Sequence, residues 1–333
     1  MTTNLFPNVV GQHEAKKKIG FYLNGYHHNR VMKNVMFAAA KGQGKSMLVE
    51  ETAKELVLYD ETGKPVMKED GVTPKKKPYH KLVASSIKNV RSFINGIVIK
   101  HLVDKDATLF IDEAHGLRPD VTEALLVMLN PNSENKNTFT YDDYACDIDF
   151  SRQTFLFATS ESHLVFPPLM DRLARIDLES YSYEDLAKII AKSAPEVNFL
   201  ENTLETMSKV VRGNARFCVK LADDIRTFLR GRADFNRKDW NEFSSILSIK
   251  PLGLSPIEIN LLRFMQERPD GSSLTNLAAR SGLSREAVQK DYESFLQNLG
   301  LMEITAGKGR QLTGKGLDYL KQLDLHENGL ATV

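Results

Sequence analysis

Cysteine is scarce in this chain of 333 residues: there are two, Cys146 and Cys218, far apart and in no CxxC or Cys/His spacing. That excludes a disulfide framework and a zinc ribbon, and it leaves both as expected core residues in a reducing compartment. Net charge is almost absent, at +1, so the protein is not basic all over, although local basic patches remain open to it. No run of about 18 apolar residues occurs, so no helical membrane span is expected. The opening MTTNLFPNVV lacks the basic-then-apolar pattern of a secretory leader. A cytoplasmic location is the expectation. Internal repeats and low-complexity tracts are missing too. What is there is ordinary for a globular protein: 42% hydrophobic and 26% charged residues, at a length that accommodates two or three domains.

Two segments carry chemistry. In the first, the apolar run Val35–Ala38 leads into AAKGQGKS, Ala39–Ser46. A glycine turn that leaves a strand and opens a helix aims backbone N–H groups, here of Gly42, Gln43 and Gly44, at phosphate oxygens. Lys45 is expected to reach the outer phosphates, Ser46 to offer its hydroxyl to Mg²⁺, and Met47 to complete the nucleotide contacts. In the second, the apolar strand Leu109-Phe110-Ile111 ends in Asp112-Glu113. One carboxylate, Asp112, holds the metal shell; the other, Glu113, polarises the attacking water. Together they predict an ATP site.

Around these motifs, strands at Val35–Ala38, Lys81–Ser85, Thr108–Ile111, Thr154–Ala158 and Arg175–Leu178 alternate with helical patterns at 13–33, Ser46–Leu58, a stretch ending near Leu102, and Pro119–Leu129. Such alternation predicts an α/β fold with a parallel sheet covered on both faces. Tyr59 to Pro78 holds two glycines, three prolines and Lys75-Lys76-Lys77, so an exposed loop or short hairpin is expected there. A further hairpin is expected from Thr138–Tyr144 with Asp147–Phe150. From Tyr183 to about Phe243 the period is helical only. Pro251–Leu254 reads as a linker, and three helical patterns with a two-strand turn at Met302–Leu312 follow.

Three further groups fit an ATPase, each with a plainer alternative. Thr159 and Ser160, after the fourth strand, either sense the γ-phosphate or cap the next turn. Arg172, after Pro167-Pro168-Leu169-Met170-Asp171, is a surface residue unless the chain forms a ring, where it would enter a neighbour's site. Arg216, in Arg212-Gly213-Asn214-Ala215-Arg216, either closes a lid on the phosphates or lies on a solvated helix face.

In this order the motifs resemble the AAA+ ATPases, and most closely the RuvB family of branch-migration motors that act on Holliday junctions. Val9-Val10-Gly11-Gln12 is similar to the family's adenine-side element, and Asp112-Glu113-Ala114-His115 to its Asp-Glu-x-His sequence. Ala158–Ser160, Pro168–Arg172 and Gly213–Arg216 are similar to its first sensor, finger and second-sensor motifs. Leu252-Gly253-Leu254, Gly300-Leu301, Gly307–Arg310 and Leu312-Thr313 are similar to its C-terminal winged helix.

The resemblance spans about Val9 to Leu320. It implies a AAA+ P-loop NTPase core at 1–180, an all-α lid at 181–250, a winged helix at 251–325 and a tail at 326–333. It also implies ATP and Mg²⁺ as cofactors, Val10 at the nucleotide, and Glu113, Thr159, Ser160, Arg172 and Arg216 in catalysis. Duplex or branched DNA is implied at Lys308 and Arg310, with Lys75, Lys76 and Lys77 either a further DNA contact or a solvated loop. The implied assembly is a ring, expected to hold six copies. A RuvA-like adaptor stays open, because the residues between Asn130 and Arg152, where the family docks its partner, are polar here. A clamp or helicase loader, and an ATP-dependent DNA-binding regulator, are the rival functions. The chain departs from the family at Ala39, where a glycine is usual, at Ala40 and Lys41, where prolines are, and at Met170, where an arginine is. Ala39 is expected to loosen the loop's fit if its φ must be positive.

Overall fold

The computed structural model describes residues 5–130, 136–141 and 144–327, with 136–141, 144–148 and 326–327 described by backbone alone. Five strands form one parallel sheet: β1 (Val35–Ala38), β2 (Tyr79–Val83), β3 (Thr108–Asp112) and, beyond a hairpin of β4 (Lys136–Tyr141) and β5 (Tyr144–Asp149), β6 (Thr154–Thr159) and β7 (Ala174–Asp177). Their order across the sheet is β2-β3-β6-β1-β7. Val35 lies beside Leu156 on one side and Ala174 on the other, which makes β1 an interior strand next to the edge strand β7.

Side chains alternate across a strand, so each run of apolar residues feeds two cores. Val35, Phe37, Phe110, Leu156 and Ala158 pack with Ile19, Leu23 and Tyr26 of the helix His13–Asn29 and with Leu48 and Val49 after the glycine loop. Met36, Leu109, Ile111, Phe155 and Phe157 pack on the other face with Val98, Leu102, Val121 and Leu125. Both faces are dry, as the near-continuous apolar strands require.

The expected elements hold, with shifted ends. The first helix stops at Asn29 because Arg30 takes a left-handed φ of 65°. The helix after the glycine loop runs Lys45–Glu55; Leu56 turns extended, and its carbonyl accepts from Lys77 N–H. Residues 57–76 make a small antiparallel meander, with Val57 opposite Lys76, Tyr59 opposite Pro65 and Met67 opposite Pro74. The helix ending at Leu102 is one turn of α-helix, Val90–Phe93, continued by a wider i→i+5 helix, Ile94–Leu102. In the β4–β5 hairpin Lys136 pairs with Asp149. The side chain of Cys146 and the tail after 327 lie outside the described residues. Cys218 is buried, as expected.

Two compact units result: residues 1–185 with 214–216, and residues 186–213 with 217–333. The second holds the helices Tyr183–Ser193 (from Leu186), Thr203–Val210, Ala215–Leu229 (from Phe217) and Arg237–Ile246. The helical region is not purely helical, because β8 (Asn198–Phe199) and β9 (Asp234–Phe235) pair in parallel. Helices Pro256–Gln266 and Leu274–Ser281, a composite helix from Arg285 to Asn298, the antiparallel β10 (Met302–Thr305) and β11 (Gly309–Leu312), and a closing helix from Gly314 complete a winged helix around Leu262, Leu277, Leu296 and Leu320.

Candidate active site

The site forms where β1, β3 and β6 end, the edge at which parallel α/β sheets bind ligands. Gly42 and Gly44 both have left-handed φ, 82° and 84°, and Gly44 is the N-cap of the helix that Lys45 begins. Ala39 is not among the positive-φ residues. Its N–H continues the strand ladder to the Thr159 carbonyl at 3.2 Å. The expected loosening at Ala39 therefore does not arise, since the two positions that need glycine have it. Lys41 is exposed, and Met47, expected at the nucleotide, is half-exposed at the surface.

Lys45 is 7% exposed, and its ammonium donates to the carbonyls of Ala39 (2.8 Å) and Ala40 (3.1 Å). Burial pushes its pKa down; Glu113 and Asp112 pull it back up, while Arg216 and Lys41 lower it further. A cation so placed gains from an arriving polyphosphate, which replaces two carbonyl dipoles with full charges. Ser46 Oγ donates to Asp112 Oδ2 at 3.2 Å, and Asp112 Oδ1 accepts the N–H of Glu113. One hydroxyl and one carboxylate are hard oxygen donors of the kind Mg²⁺ takes, and Mg²⁺ fills the rest of its octahedron with water and phosphate.

Glu113 has a left-handed φ of 52°, a strained conformation for this residue type. Its carboxylate accepts from Ser160 Oγ at 3.1 Å and lies 3.4 Å from His115 Nδ1. Thr159 is fully buried; its Oγ1 is 3.0 Å from His115 Nδ1 and accepts the N–H of Glu161. So the two candidates differ in what they touch: Thr159 caps the turn and contacts His115, and Ser160 donates to the Glu113 carboxylate.

Arg216 is exposed at the head of its helix, close enough to Lys45 to depress that lysine's pKa. The segment before it is fastened to the loop: Ala215 N–H donates to the Gly42 carbonyl at 2.9 Å, and Asn214 Nδ2 to that of Lys41 at 3.4 Å. Tyr181 O–H donates to the Gln43 carbonyl at 3.2 Å. On the far side, Val10 is half-buried beside Gln12, whose side-chain amide bonds both N–H and C=O of Glu179 at 2.8 and 2.7 Å. Asn214, Tyr181, His115 and Gln12 were not singled out by sequence. Three of them lie inside quoted motifs; Tyr181 has no pattern around it.

Arg172 stands apart. It is half-buried, donating to its own turn at the Pro168 carbonyl (2.8 Å) and, weakly, to Asn130 Oδ1 (3.5 Å), while its Nε has no partner. None of its hydrogen bonds reaches Lys45 or Glu113 of its own chain.

The nucleic-acid candidates separate by burial. Lys77 is 4% exposed, 2.5 Å from Asp106 and bonded to the Arg152 carbonyl, with its ammonium over the Tyr26 ring. It anchors the meander and is withdrawn as a DNA contact; Lys75 and Lys76 are exposed. Arg310 likewise forms a two-pronged pair with buried Glu293 at 2.7 and 3.1 Å, so it is a structural group of the wing. Lys308, in the β10–β11 turn, is exposed.

Residues 35–181 match the family model "ATPase family associated with various cellular activities (AAA)", and residues 251–321 match "RuvB C-terminal winged helix domain". The chain is similar to the Holliday junction branch migration complex subunit RuvB of Ehrlichia canis, at 26% identity over 96% of this chain and 92% of that one. It is equally similar, at 26%, to the same subunit of Treponema pallidum over 95% and 86%. Among solved structures, the Thermotoga maritima RuvB Holliday junction branch migration motor superposes with a TM-score of 0.69 at 24% identity, covering 94% of this chain and 95% of that one. That likeness bears on the fold.

Proposed function

We propose that the chain is a RuvB-like AAA+ ATPase, as its two family matches and its relatives support, and that it hydrolyses ATP to drive branch migration of DNA through a ring of its own copies. The observation that carries this is the pairing of two contacts at one sheet edge, Ser46 with Asp112 and Ser160 with Glu113, in a chain that ends in a RuvB-type winged helix. Gly42, Gln43, Gly44 and Lys45 bind the phosphates, and Ser46 and Asp112 would hold Mg²⁺. That ion, when bound, neutralises charge that builds on the transferring phosphoryl group. Glu113 takes the proton of the attacking water, with Ser160 fixing its orientation. Arg216 reaches the γ-phosphate from the same chain, and Arg172 serves the site of the adjacent copy.

We assign 181–250 as the lid and 251–325 as the DNA-contacting domain, with Lys308 at a phosphate. The helix from Lys45, aligned with the phosphates, supplies further stabilisation through its N-terminus. We assign the protein to the cytoplasm on its likeness to RuvB subunits.

The reading is tested by ATP turnover with no DNA, linear duplex and a synthetic four-way junction, alongside a gel assay of junction resolution. Turnover raised by DNA, with the junction converted to duplex arms, is expected. Turnover indifferent to DNA, or DNA-stimulated turnover that leaves the junction intact, would overturn the motor assignment.

A further inference from the structure

Arg212 makes four hydrogen bonds and a ring contact within the second unit, and the proposed ATP site makes no use of it. It takes a left-handed φ of 55°, directly before Gly213, and points at the start of the winged helix. Its guanidinium grips the Glu258 carboxylate with both prongs, at 2.6 and 3.0 Å. Nη2 and Nε also donate to the Gly253 carbonyl, at 2.7 and 3.0 Å, and the plane stacks on the Phe295 ring at 4.4 Å.

Glu258 is wholly buried, and the same carboxylate accepts from Ser255 N–H and Oγ, closing the cap of helix Pro256–Gln266. Gly253 fits only as glycine: with φ of 71°, an added Cβ would stand 2.1 Å from the Val210 carbonyl, two residues before Arg212. One guanidinium thus ties the linker, the cap of the first winged-helix helix and the inner face of the composite helix to a single backbone position. A planar fork with five fixed donors suits this task, which an ammonium cannot reproduce.

The residues just after Arg212 are the ones that read the glycine loop. Asn214 and Ala215 bond the carbonyls of Lys41 and Gly42, and Arg216 lies close to Lys45. We propose that Arg212 is a coupling residue: it clamps the winged helix to the backbone immediately before the nucleotide-reading segment, so that the winged helix follows the nucleotide state. This rests on the reading of 214–216 as a nucleotide sensor and deepens it. A bidentate pair to a fully buried carboxylate does not stretch gradually, so a shift of the chain at 213–214 is passed on or the clamp opens.

The test is hydrogen–deuterium exchange on the full chain, free and with a slowly hydrolysed ATP analogue, with no DNA present. Amides of 253–258 are expected to change exchange rate by about fivefold on nucleotide binding, the lower range of a site-to-site coupling. Arg212→Lys and Glu258→Gln are expected to abolish that change while amides of 42–46 still respond. Melting curves establish that each variant is folded; should both unfold, the wild-type response decides alone. A wild-type 253–258 that ignores nucleotide overturns the inference, as does a full response in a folded Arg212→Lys. An unresponsive 42–46 overturns the ATP site and this inference together. Wild-type turnover indifferent to DNA, with 253–258 still following nucleotide, sinks the motor reading alone.

Discussion

Two basic residues of the wing, two positions apart, make opposite contributions. Arg310→Ala strands the Glu293 carboxylate inside the winged helix, where an unpaired buried charge costs about 3–5 kcal/mol. Calorimetry is expected to show a sharply lowered melting transition, with any loss of DNA affinity following from unfolding. Lys308→Ala touches no internal contact. Its melting point is expected to stay put, while duplex affinity falls and the slope of log affinity against log salt shrinks by about 1. An unchanged salt slope would remove Lys308 from the DNA surface. The same contrast explains what sequence could deliver at this scale. The placing of Lys45, Ser46, Asp112 and Glu113 together at one sheet edge was legible because it follows from fixed spacing and a strand end. Lys77 and Arg310 were misjudged because the acids that bury them, Asp106 and Glu293, come from other elements, and nothing local marks a lysine as paired.

At the scale of elements, the meander at 57–76 hangs from one such lysine. Lys77→Ala leaves buried Asp106 with only the longer 3.6 Å pair to half-exposed Arg152 and is expected to cost up to about 3–5 kcal/mol. Lys75→Ala and Lys76→Ala should stay within about 0.5 kcal/mol of wild type. Urea melts of the three variants check this; equal effects would mean that the anchor lies elsewhere. The helix Ala215–Leu229 carries a different probe. Cys218 sits on its inner face with Ala222 and Ile225, and burial pushes the thiol up to about 12 from 9.0. A folded pKa above the unfolded one contributes stability that is intact below pH 9 and lost as the pH rises toward 12. Wild type is therefore expected to lose more stability over that window than Cys218→Val does. Parallel alkaline denaturation series would show no difference if the thiol were accessible. Strands with dry faces and helices with one apolar stripe were readable, since periodicity is what burial imposes on sequence. The β8–β9 pair was not, because two residues carry no period. Nor was the wide helix at 94–102, whose extra residue per turn leaves the apolar spacing of INGIVIKHL ambiguous.

The proposed ring turns on Arg172, whose hydrogen bonds within its own chain do not reach that chain's candidate ATP site. Arg172 bonds its own turn and Asn130, with Nε left unpartnered, and it has no hydrogen bond to the phosphate loop beside which Glu113 lies. A guanidinium held by one good bond and one long one is cheap to release, which suits a group that must reach into another subunit. Arg172→Ala is expected to bind ATP normally and to lose roughly three orders of magnitude or more in turnover, the scale on which an arginine finger acts. That loss alone does not locate the arginine in cis or in trans. Mixing does. Glu113→Gln lacks the group that activates water but keeps its finger; Arg172→Ala keeps the carboxylate but lacks the finger. Each is expected to be inactive by itself. In a ring the interface is head-to-tail, so a site built from the Arg172→Ala copy is completed by a Glu113→Gln neighbour. Random one-to-one mixing should then restore about a quarter of wild-type turnover, the chance of that ordered pair at an interface. If both groups served one chain, no mixture could assemble a whole site and turnover would stay flat at every ratio. A bell-shaped dependence on mixing ratio, peaking at equal parts, is the expected outcome.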